Sequence, residues 1–88
     1  MKIVTERSFE RDYVRLPGNI QERVDKQLAL LLGDPQHGSL QTQKMRGQAG
    51  QSDIWEARVT GSYRFTFKIV GDTYRLRRVG AREICRKP

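Results

Sequence analysis

The stretch Trp55-Glu56-Ala57-Arg58-Val59-Thr60-Gly61-Ser62-Tyr63-Arg64-Phe65-Thr66-Phe67-Lys68-Ile69 decides the fold. Its apolar residues fall at every second position: Trp55, Ala57 and Val59, then Tyr63, Phe65, Phe67 and Ile69. Glu56, Arg58, Arg64, Thr66 and Lys68 stand between them. A period of two puts alternate side chains on opposite faces, which is the pattern of half-buried β-strands. Thr60-Gly61-Ser62 supplies the turn between the two runs. The alternation resumes after Gly71-Asp72, where Tyr74 and Leu76 alternate with Arg75 and Arg77. Three antiparallel strands follow, with one apolar face for a core and one polar face turned outward.

Residues paired across a hairpin share a face, so the apolar positions fix the register. The first hairpin pairs Val59 with Tyr63, Ala57 with Phe65 and Trp55 with Phe67. A two-residue turn at Gly71-Asp72 pairs Ile69 with Tyr74 and Phe67 with Leu76. On the polar face this register sets Arg58 opposite Arg64, Lys68 opposite Arg75, and Thr66 opposite Arg77. Like charges directly opposed destabilise a sheet. An anion bound between them reverses that penalty, so the polar face reads as a phosphate-binding floor of Arg58, Arg64, Lys68, Arg75 and Arg77. The competing reading is long side chains splayed into solvent, with Glu56 neutralising one neighbour. Arg78 breaks the alternation, and a bulge near Arg77–Val79 would return Val79 to the core.

Upstream, Lys2–Val4 reads as a short first strand. Ser8 can N-cap a helix whose apolar stripe is Phe9, Tyr13 and Leu16, and Pro17-Gly18 stops it. A second helix starts near Asn19 with Ile20, Val24, Leu28 and Leu31 on one face, and Gly33 before Asp34-Pro35 ends it. Residues 34–52 show no sustained period and read as a long loop with a brief strand or turn around Leu40–Met45. The expectation is one α+β domain over residues 1–88, in the order β-α-α-β-β-β, with an N-terminal helical hairpin packed on one face of a small antiparallel sheet.

The charge is as uneven as the pattern. Lys and Arg total 17 against 10 Asp and Glu, a formal net charge of +7. Residues 1–39 balance, and residues 40–88 hold eleven basic groups against four acidic ones, so the whole excess lies in the second half. Eight of the eleven are Arg, whose planar fork binds phosphate through two parallel hydrogen bonds. A polyanionic partner is expected, nucleic acid or an acidic protein. No apolar run spans a bilayer and MKIVTERSFE has no signal-peptide core, so no membrane is expected. The single Cys85 suits a reducing cytoplasm and excludes an internal disulfide. With one His as well, no usual zinc site can be built, and neither metal nor cofactor is expected.

The helical hairpin, the loop carrying Lys44-Met45-Arg46-Gly47, then Arg58, the Gly61-Ser62-Tyr63-Arg64 turn and a terminal Val79-Gly80-x-Arg82 together resemble the RelE/ParE superfamily. These are the toxins of bacterial type II toxin–antitoxin systems. The resemblance spans almost the whole chain and rests on the order and spacing of short motifs. It implies a cognate antitoxin as partner. In the RelE branch it implies cleavage of mRNA on the ribosome, with the rRNA contacts that location brings, and hence inhibited translation. In the ParE branch it implies inhibition of DNA gyrase through protein binding. A non-catalytic nucleic-acid or partner-binding relative is the third reading. Glu56 stands where some members have Lys, and Cys85 where the RelE branch has a Tyr.

Metal-independent RNA cleavage sends the 2′-OH onto the adjacent phosphorus through a pentavalent state with extra charge on its equatorial oxygens. Fixed guanidinium groups stabilise that state more than the ground state. Arg64 and Arg82 are the candidates for this role, with Arg58 and Arg46 among the groups that bind the RNA. Arg is too weak an acid to shuttle protons. Glu56, Glu83 and Lys44 are the candidates for proton transfer. His37 reads as a capping or surface residue, and Trp55 and Tyr63 as core.

Overall fold

The computed structural model describes residues 1–45 and 53–81. Two helices lie on one face of a five-stranded sheet. The elements are β1 (Lys2–Thr5), α1 (Arg7–Val14), α2 (Gly18–Gly33), a 3-10 turn at Gly38–Leu40, β2 (Gln43–Lys44), β3 (Trp55–Arg58), β4 (Tyr63–Val70) and β5 (Thr73–Ala81). Spatial order is β1-β5-β4-β3-β2. Strands β2 to β5 are antiparallel, but β1 runs parallel to β5, so the sheet is mixed. The expected brief strand in the loop is β2, a fifth strand on the far edge from β1.

The apolar alternation builds the core as its period requires. Ala57, Val59, Phe65, Phe67, Tyr74, Leu76 and Val79 face Phe9, Val24, Leu31 and Leu40, all buried. Each large side chain removed from water contributes about 1.5–3 kcal/mol. Phe67 meets Tyr74 edge-on with ring centroids 5.5 Å apart, and lies tilted against Phe65 at 5.8 Å. Trp55 and Tyr63 are partly buried against this cluster.

The register follows the apolar positions along the first hairpin: Trp55 pairs with Phe67, Ala57 with Phe65, and Arg58 with Arg64. In the second, Ile69 pairs with Tyr74, Lys68 with Arg75 and Phe67 with Leu76. Gly71 takes a left-handed φ of 60° at the turn, a conformation open to glycine at no steric cost. Beyond Phe67 the register shifts, and Thr66 pairs with Arg78, not with Arg77 as strict alternation places it. The expected bulge therefore inserts Arg77 between Leu76 and Arg78 and returns Val79 to its partner Phe65.

Strand β1 covers β5 only from Thr73 to Leu76. Beyond that point α1 takes the place of an edge strand. The Glu6 amide donates to Leu76 O at 2.9 Å, the Ser8 hydroxyl to Arg77 O at 2.6 Å, and the Val79 amide to Asp12 Oδ2 at 3.1 Å. These bonds satisfy backbone groups that an open edge would leave for water or another chain. Ser8 is thus a tie to the bulge, 69 residues away in sequence, and not the N-cap of α1, which is Glu6. Helix α2 starts after Pro17, at Gly18. The His37 ring caps the 3-10 turn, its Nδ1 accepting from the Ser39 amide at 3.1 Å. Among the described residues no helix is long and apolar enough to cross a membrane.

Candidate nucleic-acid interface

The face of the sheet turned away from the helices carries Glu56 and Arg58 from β3, Arg64, Thr66 and Lys68 from β4, and Arg75 from β5. Its geometry begins with the backbone. Buried Gln27 on α2 donates from Nε2 to Arg58 O at 2.9 Å, pinning the end of β3 from below. The Arg58 side chain leans over the turn, so that a Cβ on Gly61 would lie 3.8 Å from its Nη2. Across the ladder, Arg64 donates from Nη1 to the carbonyls of Thr60 and Tyr63, the latter at 3.0 Å. Those two carbonyls fix the guanidinium plane at the same turn. On its other flank Arg64 pairs with Gly80, which places no side chain beside it. Two guanidinium groups thus converge at the Thr60–Ser62 end of the sheet, one held by backbone, the other leaning over the turn.

Glu56 sits one ladder step further in. It pairs with Thr66 on one side and with Gln43 on the other. Its Oε1 accepts from Gln43 Nε2 at 3.3 Å and lies 3.9 Å from Arg64 Nε. The two arginines are thus opposed as the register requires, and Glu56 neutralises one of them. Thr66 is fully buried between Glu56 and Arg78, and its Oγ1 has no hydrogen-bond partner among the described residues.

The remaining sequence candidates separate. Lys68 and Arg75 are directly opposed, and each leans toward a carboxylate, Lys68 to Asp53 at 3.6 Å and Arg75 to Glu6 at 4.0 Å. Arg77 is the bulge residue, with its carbonyl turned to Ser8. Arg78 reaches over the edge of β5 to Asp12 and binds it through Nε at 2.7 Å and Nη2 at 3.1 Å. Lys44 pairs with Trp55 and sets its Nζ 5.8 Å from the centre of the indole ring. That is the helix-side face, opposite the one that carries Arg64. Arg46, Arg82, Glu83 and Cys85 lie outside the described residues.

Gln43 and Thr66 are the parts of this arrangement that sequence reasoning missed. Thr66 was legible as a face residue but not as a buried one. Gln43 lies in a segment without period, so nothing local to it signals a sheet partner. A concavity of about 580 Å³ lies on the helix side, lined by Leu31, His37, Trp55, Phe67, Ile69 and Tyr74 among others. It is mainly apolar and shares none of the arginines.

Two helices on a mixed sheet of this strand order form a RelE-like α+β fold. The YoeB/ParE toxin from Agrobacterium tumefaciens superposes with a TM-score of 0.76 at 20% identity, over 92% of this chain and 98% of that one. YafQ from E. coli gives 0.74 at 16% identity, over 92% of each chain. The RelB–RelE antitoxin–toxin complex from Methanococcus jannaschii gives 0.71 at 23% identity, over 91% of each. No protein-family model matches the chain. No curated protein matches it in sequence. The likeness to these structures is thus one of three-dimensional fold.

Proposed function

We propose that this chain is the toxin of a type II toxin–antitoxin system, an endoribonuclease that cuts mRNA on the ribosome and is held in check by an antitoxin. The observation that carries the reading is the direct opposition of Arg58 and Arg64, with Arg64 fixed by the Thr60 and Tyr63 carbonyls. A pre-positioned guanidinium needs no reorganisation when charge develops on a phosphate, which is the condition for electrostatic catalysis. The antitoxin partner is supported by the fold neighbours, which include the DinJ–YafQ and RelB–RelE toxin–antitoxin complexes.

In the proposed reaction the substrate 2′-oxygen attacks phosphorus as its proton leaves to a base. The P–O5′ bond breaks and the 5′-oxygen takes up a proton, leaving a cyclic phosphate. Arg64, with Arg82 of the Val79-Gly80-x-Arg82 motif, stabilises the pentavalent state. Arg58, Arg46, Lys68 and Arg75 hold the backbone. Glu56 and Glu83 remain the proton-transfer candidates that belong with this chemistry, while Lys44 is directed to Trp55. A site relying on charge and positioning depends on the ribosome to set the near-attack geometry of the RNA.

The test is translation with purified ribosomes, reading mRNA integrity by primer extension. Cleavage by the wild type that falls by about 100-fold in Arg64→Ala supports the reading, the scale for losing one oxyanion donor. Intact mRNA with the wild type, or unchanged cutting by Arg64→Ala, overturns it. Inhibition of gyrase supercoiling without RNA cleavage would assign the chain to the gyrase-inhibitor reading.

A further inference from the structure

We propose that Glu56 is a built-in counter-anion for Arg64, which an RNA phosphate must outcompete, so that the chain's own carboxylate sets the affinity of this face and its salt dependence. The inference rests on the reading of the face as an RNA site.

Among the described residues, three cations of the face have a carboxylate within 4.0 Å, and burial separates one pair from the other two. In Lys68–Asp53 the side chains are 37% and 71% exposed, and in Arg75–Glu6 they are 52% and 31% exposed. Water and salt screen such pairs, so they yield to an incoming polyanion at little cost. In Arg64–Glu56 the side chains are only 14% and 9% exposed. There the effective dielectric is low, and a unit charge acts several-fold more strongly at the same distance. Among the described residues, the least screened carboxylate beside Arg64 is therefore Glu56.

Its geometry is that of a weak occupant. At 3.9 Å from Arg64 Nε it neutralises the guanidinium without the short charged hydrogen bond of a tight pair. Its hydrogen bond among the described residues comes from a neutral amide, Gln43, at 3.3 Å. Beside it, Thr66 Oγ1 is buried and has no partner among the described residues. A carboxylate kept from water and underserved by donors gains little by holding its place. A phosphate offers Arg64 more oxygens, but its charge meets that of Glu56 at close range. Removing the Glu56 charge while keeping its shape must then strengthen anion binding, and must do so through Arg64.

The experiment measures binding of a short fluorescein-labelled 2′-O-methyl RNA, which lacks the attacking hydroxyl, across a salt series. The proteins are wild type, Glu56→Gln, Arg64→Ala, the double variant, and Glu22→Gln, an exposed glutamate of α2 that controls for net charge. Glu56→Ala serves as a second variant should the glutamine fold poorly. The expected result is about tenfold tighter binding for Glu56→Gln, the scale of one like-charge repulsion removed between the water and protein-surface limits. The salt slope should steepen by about one counterion. The gain should vanish in the Arg64→Ala background and be absent in Glu22→Gln. Equal affinities for Glu56→Gln and Glu22→Gln, or a gain that survives Arg64→Ala, overturn the inference while leaving the RNA-binding reading intact. If no variant binds RNA, that reading fails, and the inference is then decided by titrating inorganic phosphate against the Arg64 Nε–Hε resonance. Tighter phosphate binding in Glu56→Gln upholds the counter-anion role, and identical titrations overturn it.

Discussion

Asp12 on α1 accepts from both the side chain of Arg78 and the amide of its neighbour Val79, at 2.7 and 3.1 Å to the guanidinium and 3.1 Å to the backbone. This buried carboxylate thus joins Glu6 and Ser8 in closing the part of β5 that β1 does not reach, and it acts immediately after the bulge at Arg77. Three bonds on one acceptor make α1 part of the sheet edge as well as a lid on the core.

Asp12→Ala is expected to destabilise the fold by about 2–3 kcal/mol, below the cost of breaking a fully buried pair because Arg78 can turn to water. Asp12→Asn keeps a carbonyl oxygen for the Val79 amide and should lose less. Urea denaturation measures both. A change within about 0.5 kcal/mol for the alanine variant, the range of ordinary surface substitutions, would show that the edge closes without this residue.

Much of this arrangement was legible from residues 55–79. The strict alternation fixed which residues pair, because slipping a strand by one would have turned Phe65 and Phe67 out to solvent. It placed the bulge from the doubled Arg77-Arg78, yet set Thr66 opposite Arg77 where the structure sets it opposite Arg78. Alternation shows that an extra residue is present but not which one leaves the ladder. The misreading of Ser8 has a different cause. A serine just before Phe9 has the local form of an N-cap, and only the tertiary fold supplies Arg77 O as a stronger partner. The β2 strand is two residues long, too short to show a period. The closeness of Glu56 to Arg64 was foreseeable from pairing, whereas its burial beneath neighbouring side chains was not.

The Gly71 turn offers a backbone test. At φ 60° an alanine carries the left-handed penalty without any steric neighbour, since nothing lies within 4 Å of the added Cβ. Gly71→Ala should therefore cost about 1 kcal/mol from conformation alone. Gly71→Asn should cost less, as asparagine tolerates this region better than other side chains. The two thermal midpoints, compared with the wild type, check the order.

Tyr13 supplies a pH dependence. Its hydroxyl donates to Asp25 Oδ1 at 2.9 Å, and this bond raises the phenol above its ordinary value, with burial and the Asp25 charge adding to it. The folded state then holds the proton more tightly than the unfolded chain. The associated stability is complete below the ordinary tyrosine range near about 10 and is lost as pH rises through the raised folded value. Tyr13→Phe should accordingly be less stable than the wild type at neutral pH. The gap between them should close at strongly alkaline pH, as chemical denaturation at several pH values would show. A gap independent of pH would mean that the hydroxyl contributes through packing and not through its proton.

The opposition of Arg58 and Arg64 makes stability and binding move in opposite directions. Arg58 faces a like charge directly across the ladder, and its side chain makes no ion pair among the described residues. Removing it relieves a repulsion, so Arg58→Ala should raise stability by a few tenths of a kcal/mol, on the order of 0.2–1 kcal/mol. Arg64 differs because its guanidinium also binds the carbonyls of Thr60 and Tyr63 and lies near Glu56. Arg64→Ala leaves Glu56 buried without its cation and should lower stability. Both variants should weaken RNA binding and flatten its salt dependence by about one counterion each. A residue kept for the fold alone cannot show the Arg58 pattern, a more stable protein that binds less well. Parallel loss of stability and affinity in Arg58→Ala would instead make that arginine a structural part of the sheet.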